Sequence, residues 1–355
     1  METLWFWLIS AMFATYSVLD GFDFGVGALH LFVAKSNTER KTVLGAVLPY
    51  WDGNEVWLVA AGGSLMLAFP HVLASGLSGF YLPMFMVLWT LTLRGIAIEF
   101  RSHVDEQLWQ SFWDFVFAVA STTMPVLLGV ALGNVIRGVP LDETGYFNIP
   151  LFSDFTVHNP LGVLDWFTGL TGLFVLSTLC GHGALYLVLK CEGTVRARAI
   201  RAAKPLWLIA GALGIGCTLA ISRINSDFFA RLPHSAGACV FVGVCISGIA
   251  ALAFGFRRGR FGVAFAGSTG FILGILGATA GCLFPVMLRS SLRPEWSLTA
   301  HNASSGGYEL RAGIIWWLFA LPLVLAYFAF VFWVHSRKFT VRTVLNTGQH
   351  PKPKA

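Results

Sequence analysis

Two aspartates, Asp20 and Asp23, interrupt a long apolar run near the N-terminus, at residues 5–33. Side chains three residues apart lie on the same face of a helix. Asp23 lies roughly 18 Å along such a helix from Lys35, at about 1.5 Å per residue, which places both carboxyl groups deep in a membrane if the run spans one. Two adjacent carboxyl groups cannot both ionise cheaply there, so the pair is predicted to share a readily exchanged proton and to act as a relay. The alternative is a buried carboxylate satisfied by an arginine or a backbone group of a neighbouring helix.

A second acidic cluster occurs in the string WDGNEVW at residues 51–57, where Asp52 and Glu55 lie between Trp51 and Trp57. Asp52 could cap a helix, with Glu55 closing a capping box. A cap requires neither a second acid nor two tryptophans. We therefore interpret this cluster as the mouth of a proton route that leads to the deeper aspartate pair.

A third group of charges lies near the end of a later apolar run, at Arg94, Glu99 and Arg101. Glu99 and Arg101 are predicted to mark the membrane surface. Arg94 lies deeper, and two readings remain open for it. Its long side chain either extends to the lipid headgroups or pairs with Asp52 or Glu55.

The remaining polar residues of the apolar runs are predicted to be structural. His182 could be a haem ligand, but no second axial ligand is identifiable from spacing. Asp114 and Asp165 are predicted to cap helices. The six cysteines form no CxxC pair and read as small apolar packing residues.

The composition identifies the elements that must position these groups. The chain is 56% hydrophobic and 12% charged, with a mean hydropathy of +0.70, which excludes an ordinary soluble globule. The net charge of +6 is spread over short clusters between apolar runs rather than forming a nucleic-acid-binding patch. Nine runs are long enough to span a membrane as helices, so we predict a single integral membrane domain with an all-α, polytopic fold. The runs are 5–33, 53–75, 79–98, 112–136, 160–189, 205–222, 235–256, 262–288 and 313–334.

The basic residues predict the orientation of these helices. They concentrate after the first, third, fifth, seventh and ninth runs, and are sparse in the other gaps. Because cytoplasmic loops carry the excess of Lys and Arg, the N-terminus is predicted to be periplasmic and the C-terminus cytoplasmic, in a bacterial inner membrane. Residues 335–355 are predicted to form a cytoplasmic polar tail. The Asp52 and Glu55 cluster then lies on the cytoplasmic side of the aspartate pair.

Several strings together resemble a known family. They include VLDGFDFGVG at 18–27, WDGNEVWL at 51–58, SGFY at 78–81 and GVALGN at 129–134. In order and spacing they are similar to subunit II of cytochrome bd-type quinol oxidases, cyanide-insensitive members included. The match is dense over residues 18–140 and looser afterwards.

This resemblance implies a fold of two four-helix bundles plus one peripheral helix. It implies a heterodimer with subunit I, which carries haems b558, b595 and d, whereas this chain binds no haem or metal itself. The complex is expected to oxidise quinol and to reduce O₂ to water with cytoplasmic protons, electrogenically and without proton pumping. The resemblance also allows a structural quinone or lipid and a small single-helix accessory subunit.

The resemblance assigns proton uptake to Asp20, Asp23 and Asp52, with Glu55 at a position where some members have a neutral residue. Two rival readings remain open from the residues alone. Buried acids and glycine-rich helices also occur in proton-coupled transporters. Alternatively, the acids only brace the interface with a partner subunit.

Overall fold

The computed structural model describes residues 1–335, and most of them are helical. The predicted polar tail therefore lies outside the described residues, apart from His335. The helices are α1 (Glu2–Val33), α2 (Asn37–Val47), α3 (Trp51–Ala68), α4 (Pro70–Gly79), α5 (Tyr81–Phe100), α6 (Gln107–Arg137), α7 (Trp166–Lys190), α8 (Gly193–Ile224), α9 (Ser226–Ala230), α10 (Ala236–Arg258), α11 (Phe261–Leu283) and α12 (Gly307–Val334). Short 3₁₀ turns occur at Leu232–His234 and Pro294–Trp296.

Eight of these helices are long and apolar enough to cross a membrane individually, within residues 1–335. The second predicted span, 53–75, is not one straight helix. It is divided into α3 and α4, which meet at an angle of 118°. Pro70 is the first residue of α4, and a proline lacks the N–H that would continue the preceding helix. The all-helical, multi-span prediction is confirmed, with up to nine spans if the bent pair counts as one.

Three other predicted boundaries differ from the structure. The run 205–222 is part of the longer α8, because the basic first turns of that helix are too polar to register as apolar sequence. The run 160–189 becomes helical only at Trp166, after the capping residue Asp165. The run 262–288 ends as a helix at Leu283, and its last residues form β1 (Val286–Leu288), which pairs antiparallel with β2 (Leu298–Thr299).

The helix α1 lies at the centre of the molecule and packs against α3, α6, α7 and α11. On one side of it, α3, α4, α5 and α6 complete a first group of helices. On the other side, α7, α8, α10 and α11 form a second group. The close crossing of α1 and α7 depends on Gly25, since a Cβ there would lie 2.0 Å from the backbone oxygen of Leu179.

The helix α12 lies at the periphery. Leu310 and Gly313 are the only residues of this helix that are buried. The helix packs on α3, where Phe328 approaches Trp57 with ring centroids 5.8 Å apart. This arrangement agrees with two helix groups and one peripheral helix.

Candidate functional site: a buried cluster of carboxylates and one arginine

Asp20 forms a two-pronged salt bridge with Arg94 across the interface of α1 and α5. The Oδ1 atom of Asp20 lies 2.6 Å from Nη1 of Arg94, and its Oδ2 atom lies 3.2 Å from Nη2. Both side chains are almost completely buried. The guanidinium also lies 4.3 Å from the centroid of the Phe24 ring, a distance that permits a cation–π interaction.

Glu55 is the second partner of Arg94, through the same Nη2 atom. Its side chain is 25% exposed, whereas that of Arg94 is 1% exposed. The hypothesis that the Arg94 side chain extends to the lipid headgroups is therefore wrong. Arg94 instead points inward and joins one deep carboxylate to one that is closer to the surface.

Asp23 has a different environment from Asp20. Its Oδ2 atom accepts a hydrogen bond of 2.8 Å from Nδ2 of Asn54 on α3, and its Oδ1 atom is buried without a hydrogen-bond partner in residues 1–335. None of the salt bridges among these residues includes Asp23. The two aspartates of α1 thus have different partners, and the predicted sharing of a proton between them stays a prediction. Asp20 is paired with Arg94, whereas Asp23 is a buried carboxyl group that has no cationic partner within residues 1–335.

The alternative in which Asp52 caps a helix is wrong. Helix α3 begins at Trp51 with Tyr50 at the capping position and no side-chain cap. The side chain of Asp52 is exposed in the isolated chain. Trp51 packs over α5, with ring atoms 3.2 and 3.3 Å from the position of a Cβ on Gly95.

Arg101 is also not a surface marker, because it is buried. Its Nε atom lies 2.5 Å from Oδ1 of Asp114, and its Nη2 atom donates to Asn37 at 2.8 Å. Asp114 is therefore not a helix cap either. It lies two turns inside α6 and also contacts His30 and Arg40. Glu99 is exposed near the end of α5.

Sequence reasoning did not assign Tyr16, His30, Asn54 or Arg40 to these two clusters. The Tyr16 hydroxyl is buried close to Asp20. A signal for Tyr16 and His30 was available, because both lie at helical spacing from the two aspartates of α1. Asn54 and Arg40 are not marked by any spacing, since their partners are on other helices.

The match to known proteins decides the family. The model of the family described as cytochrome bd terminal oxidase subunit II matches residues 1–335. The chain belongs to this family.

Relatives support the same assignment over nearly the whole length. A cytochrome bd ubiquinol oxidase subunit 2 of Bacillus subtilis is 33% identical over 327 residues, which cover 92% of this chain and 93% of the relative. The cytochrome bd-I ubiquinol oxidase subunit 2 of Escherichia coli K12 is 28% identical, with 94% and 93% covered. A chain in the structure of a bd oxidase from Geobacillus thermodenitrificans has the same fold, with a TM-score of 0.74, 16% identity and coverage of 93% and 97%.

His182, the histidine of this subunit II chain that the sequence raised as a possible haem ligand, has both ring nitrogens in contact with groups of the chain itself. His182 is buried where α1, α7 and α11 meet. Its Nδ1 atom lies 2.6 Å from Oγ of Ser268 and its Nε2 atom 3.2 Å from the backbone oxygen of Val18. Both ring nitrogens are thus engaged within the chain. Among the described residues, no group of three or more His, Cys, Asp or Glu side chains could hold a metal ion.

Two further ion pairs hold this subunit together away from the cluster. Arg137 pairs with Asp165, and Asp165 also accepts from the N–H groups of Phe167 and Thr168, as the cap prediction required. At the other end of the bundle, Glu39 of α2 binds Arg198 of α8 at 2.8 Å. Both pairs join elements that are distant in the sequence.

Proposed function

We propose that this subunit II chain assembles with a haem-bearing subunit I into a quinol:O₂ oxidoreductase of the bacterial cytoplasmic membrane, and that its buried cluster carries protons from the cytoplasm toward the partner. The observation that supports this role most directly is Asp23, a deeply buried carboxyl group that has no cationic partner in the part of the chain that the structure describes. An ionisable group that is kept in a membrane interior without charge compensation can bind and release a proton.

The neighbouring residues suit distinct parts of this task. Arg94 favours the carboxylate form of Asp20, because a two-pronged guanidinium bond is strong and charge-assisted. Glu55 shares that arginine and is partly exposed, so it can exchange a proton with the surface. Asp52 is exposed and lies three residues before Glu55, so it is suited to be the first group that accepts a proton from the cytoplasm. Protons then pass from Asp52 and Glu55 to Asp23.

The haems and the quinol belong to subunit I in this proposal. The relatives named above are subunits of ubiquinol oxidases, which supports quinol as the electron donor of the complex. The engaged nitrogens of His182 support the view that haems b558, b595 and d are bound by the partner. The concentration of basic residues supports a periplasmic N-terminus and a cytoplasmic C-terminus.

The family match over residues 1–335 favours this function over a proton-coupled transporter. The buried carboxyl groups fit the same conclusion. Asp20, Asp23 and Glu55 converge at one place between α1, α3 and α5, rather than lining a midplane site that two repeats would share.

The test is a set of asparagine substitutions in the assembled complex. Asp23→Asn, Asp52→Asn and the double variant should lower O₂ consumption per haem while haem content stays normal. Asp142→Asn, at an exposed loop carboxylate, is the matched control and should leave turnover unchanged. Wild-type turnover in all three cluster variants would refute the proposal. A lower yield of complex with normal turnover per haem would instead indicate a purely structural role.

A further inference from the structure

A single polar stripe runs along the central helix α1 and connects the two buried clusters. Tyr16, Asp20, Asp23, Gly27 and His30 follow one another at intervals of three or four residues, which places them on one face of a helix. Asp23 belongs to the cluster around Arg94, and His30 belongs to the cluster around Asp114. Gly27 lies between them.

The His30 end of the stripe has a defined hydrogen-bonding pattern. Its Nε2 atom lies 2.7 Å from Oδ1 of Asp114. Asp114 also binds Arg101 and, at 3.1 Å, Arg40. Phe117 packs on the ring with centroids 5.4 Å apart. Two arginines favour an ionised Asp114, so Nε2 of His30 donates to it and Nδ1 carries the lone pair.

Ser121 of α6 lies beside the middle of the stripe. A Cβ on Gly27 would be 2.0 Å from Oγ of Ser121. The absence of a side chain at Gly27 therefore lets this hydroxyl group lie directly against α1. Along the helix axis, Gly27 is about 6 Å from Asp23 and about 4.5 Å from His30.

Three buried polar atoms of Asp23, Ser121 and His30 have no hydrogen-bond partner in residues 1–335. They are Oδ1 of Asp23, Oγ of Ser121 and Nδ1 of His30. A buried polar group without a partner is costly, and native proteins pair such groups with each other or with ordered water. One water molecule bridges two polar atoms that are about 5.5 Å apart. The rise along α1 on each side of Gly27, about 6 Å to Asp23 and about 4.5 Å to His30, is of the length that one bridging water spans.

We propose that Asp23, Ser121 and His30 form a water-linked hydrogen-bonded line along α1, and that His30 is a second proton-binding position that exchanges with Asp23. The proton leaves Oδ1 of Asp23, passes through water, the Ser121 hydroxyl and a second water, and binds Nδ1 of His30. Asp23 becomes a carboxylate, and His30 becomes an imidazolium that Asp114 stabilises. The reverse transfer returns the proton to Asp23.

The net charge of the line is unchanged by this transfer, since one proton moves and no electron does. The charged groups that face His30 are Asp114 of α6, Arg40 of α2 and Arg101 at the end of α5. The arginines oppose an imidazolium, and Asp114 favours it. His30 is therefore suited to hold a proton briefly during turnover rather than permanently.

The inference rests on the proposed role of Asp23 and is tested with two conservative substitutions in the assembled complex. His30→Gln keeps an N–H donor that can reach Asp114 but removes the titrating ring. Ser121→Ala removes only the hydroxyl group. Each should give a several-fold loss of turnover per haem at alkaline pH, where proton supply limits the rate, and a changed solvent deuterium isotope effect. Haem content should be unchanged.

Two matched controls separate proton transfer from packing. Ser75→Ala removes another buried hydroxyl group that lacks a partner in residues 1–335, on α4 and away from the line. His182→Gln removes the other fully buried histidine. Both controls should keep the wild-type pH profile and isotope effect. Wild-type pH profiles and isotope effects in His30→Gln and Ser121→Ala would overturn this inference. If Asp23→Asn lowers turnover while these two variants behave like the wild type, the proposed function stands and only the inference about His30 and Ser121 fails.

Discussion

Asp20 and Arg94, which are 74 residues apart in the sequence, form a two-pronged buried salt bridge with N–O distances of 2.6 and 3.2 Å. This bridge joins α1 to α5 and fixes the guanidinium within reach of Glu55. It also separates the roles of the two aspartates of α1, since Asp23 receives only an amide hydrogen bond from Asn54. Of the two aspartates of α1, Asp20 is thus paired with a cation, whereas Asp23 has no cationic partner within residues 1–335.

Replacing Arg94 with leucine should destabilise the subunit strongly. The change leaves the charge of Asp20 buried without a partner, and breaking a buried ion pair in this way costs about 3–5 kcal/mol. Thermal denaturation of the purified complex measures the effect. The double variant Arg94→Leu/Asp20→Asn should be more stable than Arg94→Leu alone, because the unpaired charge is gone. A double variant that is no more stable would show that the bridge does not determine the stability of this region.

Replacing Asn54 with leucine should disturb Asp23 specifically. Nδ2 of Asn54 donates to Oδ2 of Asp23 and, at 3.2 Å, to the backbone oxygen of Leu19. Because Leu19 offers only an acceptor, the orientation of the amide is fixed. Loss of these donors should cost about 1–3 kcal/mol and lower turnover per haem. Infrared difference spectroscopy measures the carbonyl stretching band of the Asp23 carboxyl group, which is identified by its loss in Asp23→Asn. This band should shift in Asn54→Leu. An unshifted band would show that Asn54 does not position Asp23.

The ion pair between Glu39 and Arg198 should make stability depend on acidic pH. Partial burial raises the pKa of Glu39, but hydrogen bonds from Thr194, from the backbone N–H of Lys35 and from Arg198 outweigh it and lower the pKa to about 2. A depressed pKa adds stability that is fully present above the ordinary value of 4.5 and is lost as the pH falls toward 2.

The glutamine variant of Glu39 tests this dependence. Its melting temperature should fall less steeply than that of the wild type as the pH is lowered from neutral to about 3. Equal slopes for the two proteins would argue against a stabilising role of the ionised carboxylate.

Replacing Gly25 with alanine should separate α1 from α7. The new methyl group would lie 2.0 Å from the backbone oxygen of Leu179 and 3.0 Å from the Cα atom of Gly183. Backbone atoms cannot rotate away, so the cost should exceed the usual 1–3 kcal/mol of overpacking, at about 3 kcal/mol or more. The measurements are the yield and the melting temperature of the complex. Gly211→Ala is the control, since a Cβ there meets nothing within 4 Å.

Hydropathy predicted the architecture well, because each spanning helix carries its own apolar signal. The break after Ala68 was missed since both halves are apolar, and only Pro70 marks it. The depth of Asp20 and Asp23 could be read from one helix alone. Their partners on other helices could not be predicted, because residues that touch across two helices have no fixed separation in the sequence.

Arg101 and Asp114 illustrate the same limit. Each lies near the end of an apolar run, where a charged residue ordinarily faces water or caps a helix. Their burial results from mutual pairing across α5 and α6, together with His30. The helical periodicity of α1 places His30 on the same face as the two aspartates. The sequence therefore contained a signal for His30, although not for its partners.

The central claim, that Asp23 carries protons for the complex, is tested most directly by proton uptake during a single turnover. The fully reduced complex is mixed with O₂, and a pH indicator follows the medium while absorbance follows the haems. In Asp23→Asn, proton uptake should slow markedly, while the first electron transfer to O₂ keeps its wild-type rate. Proton uptake at the wild-type rate in Asp23→Asn would contradict the account.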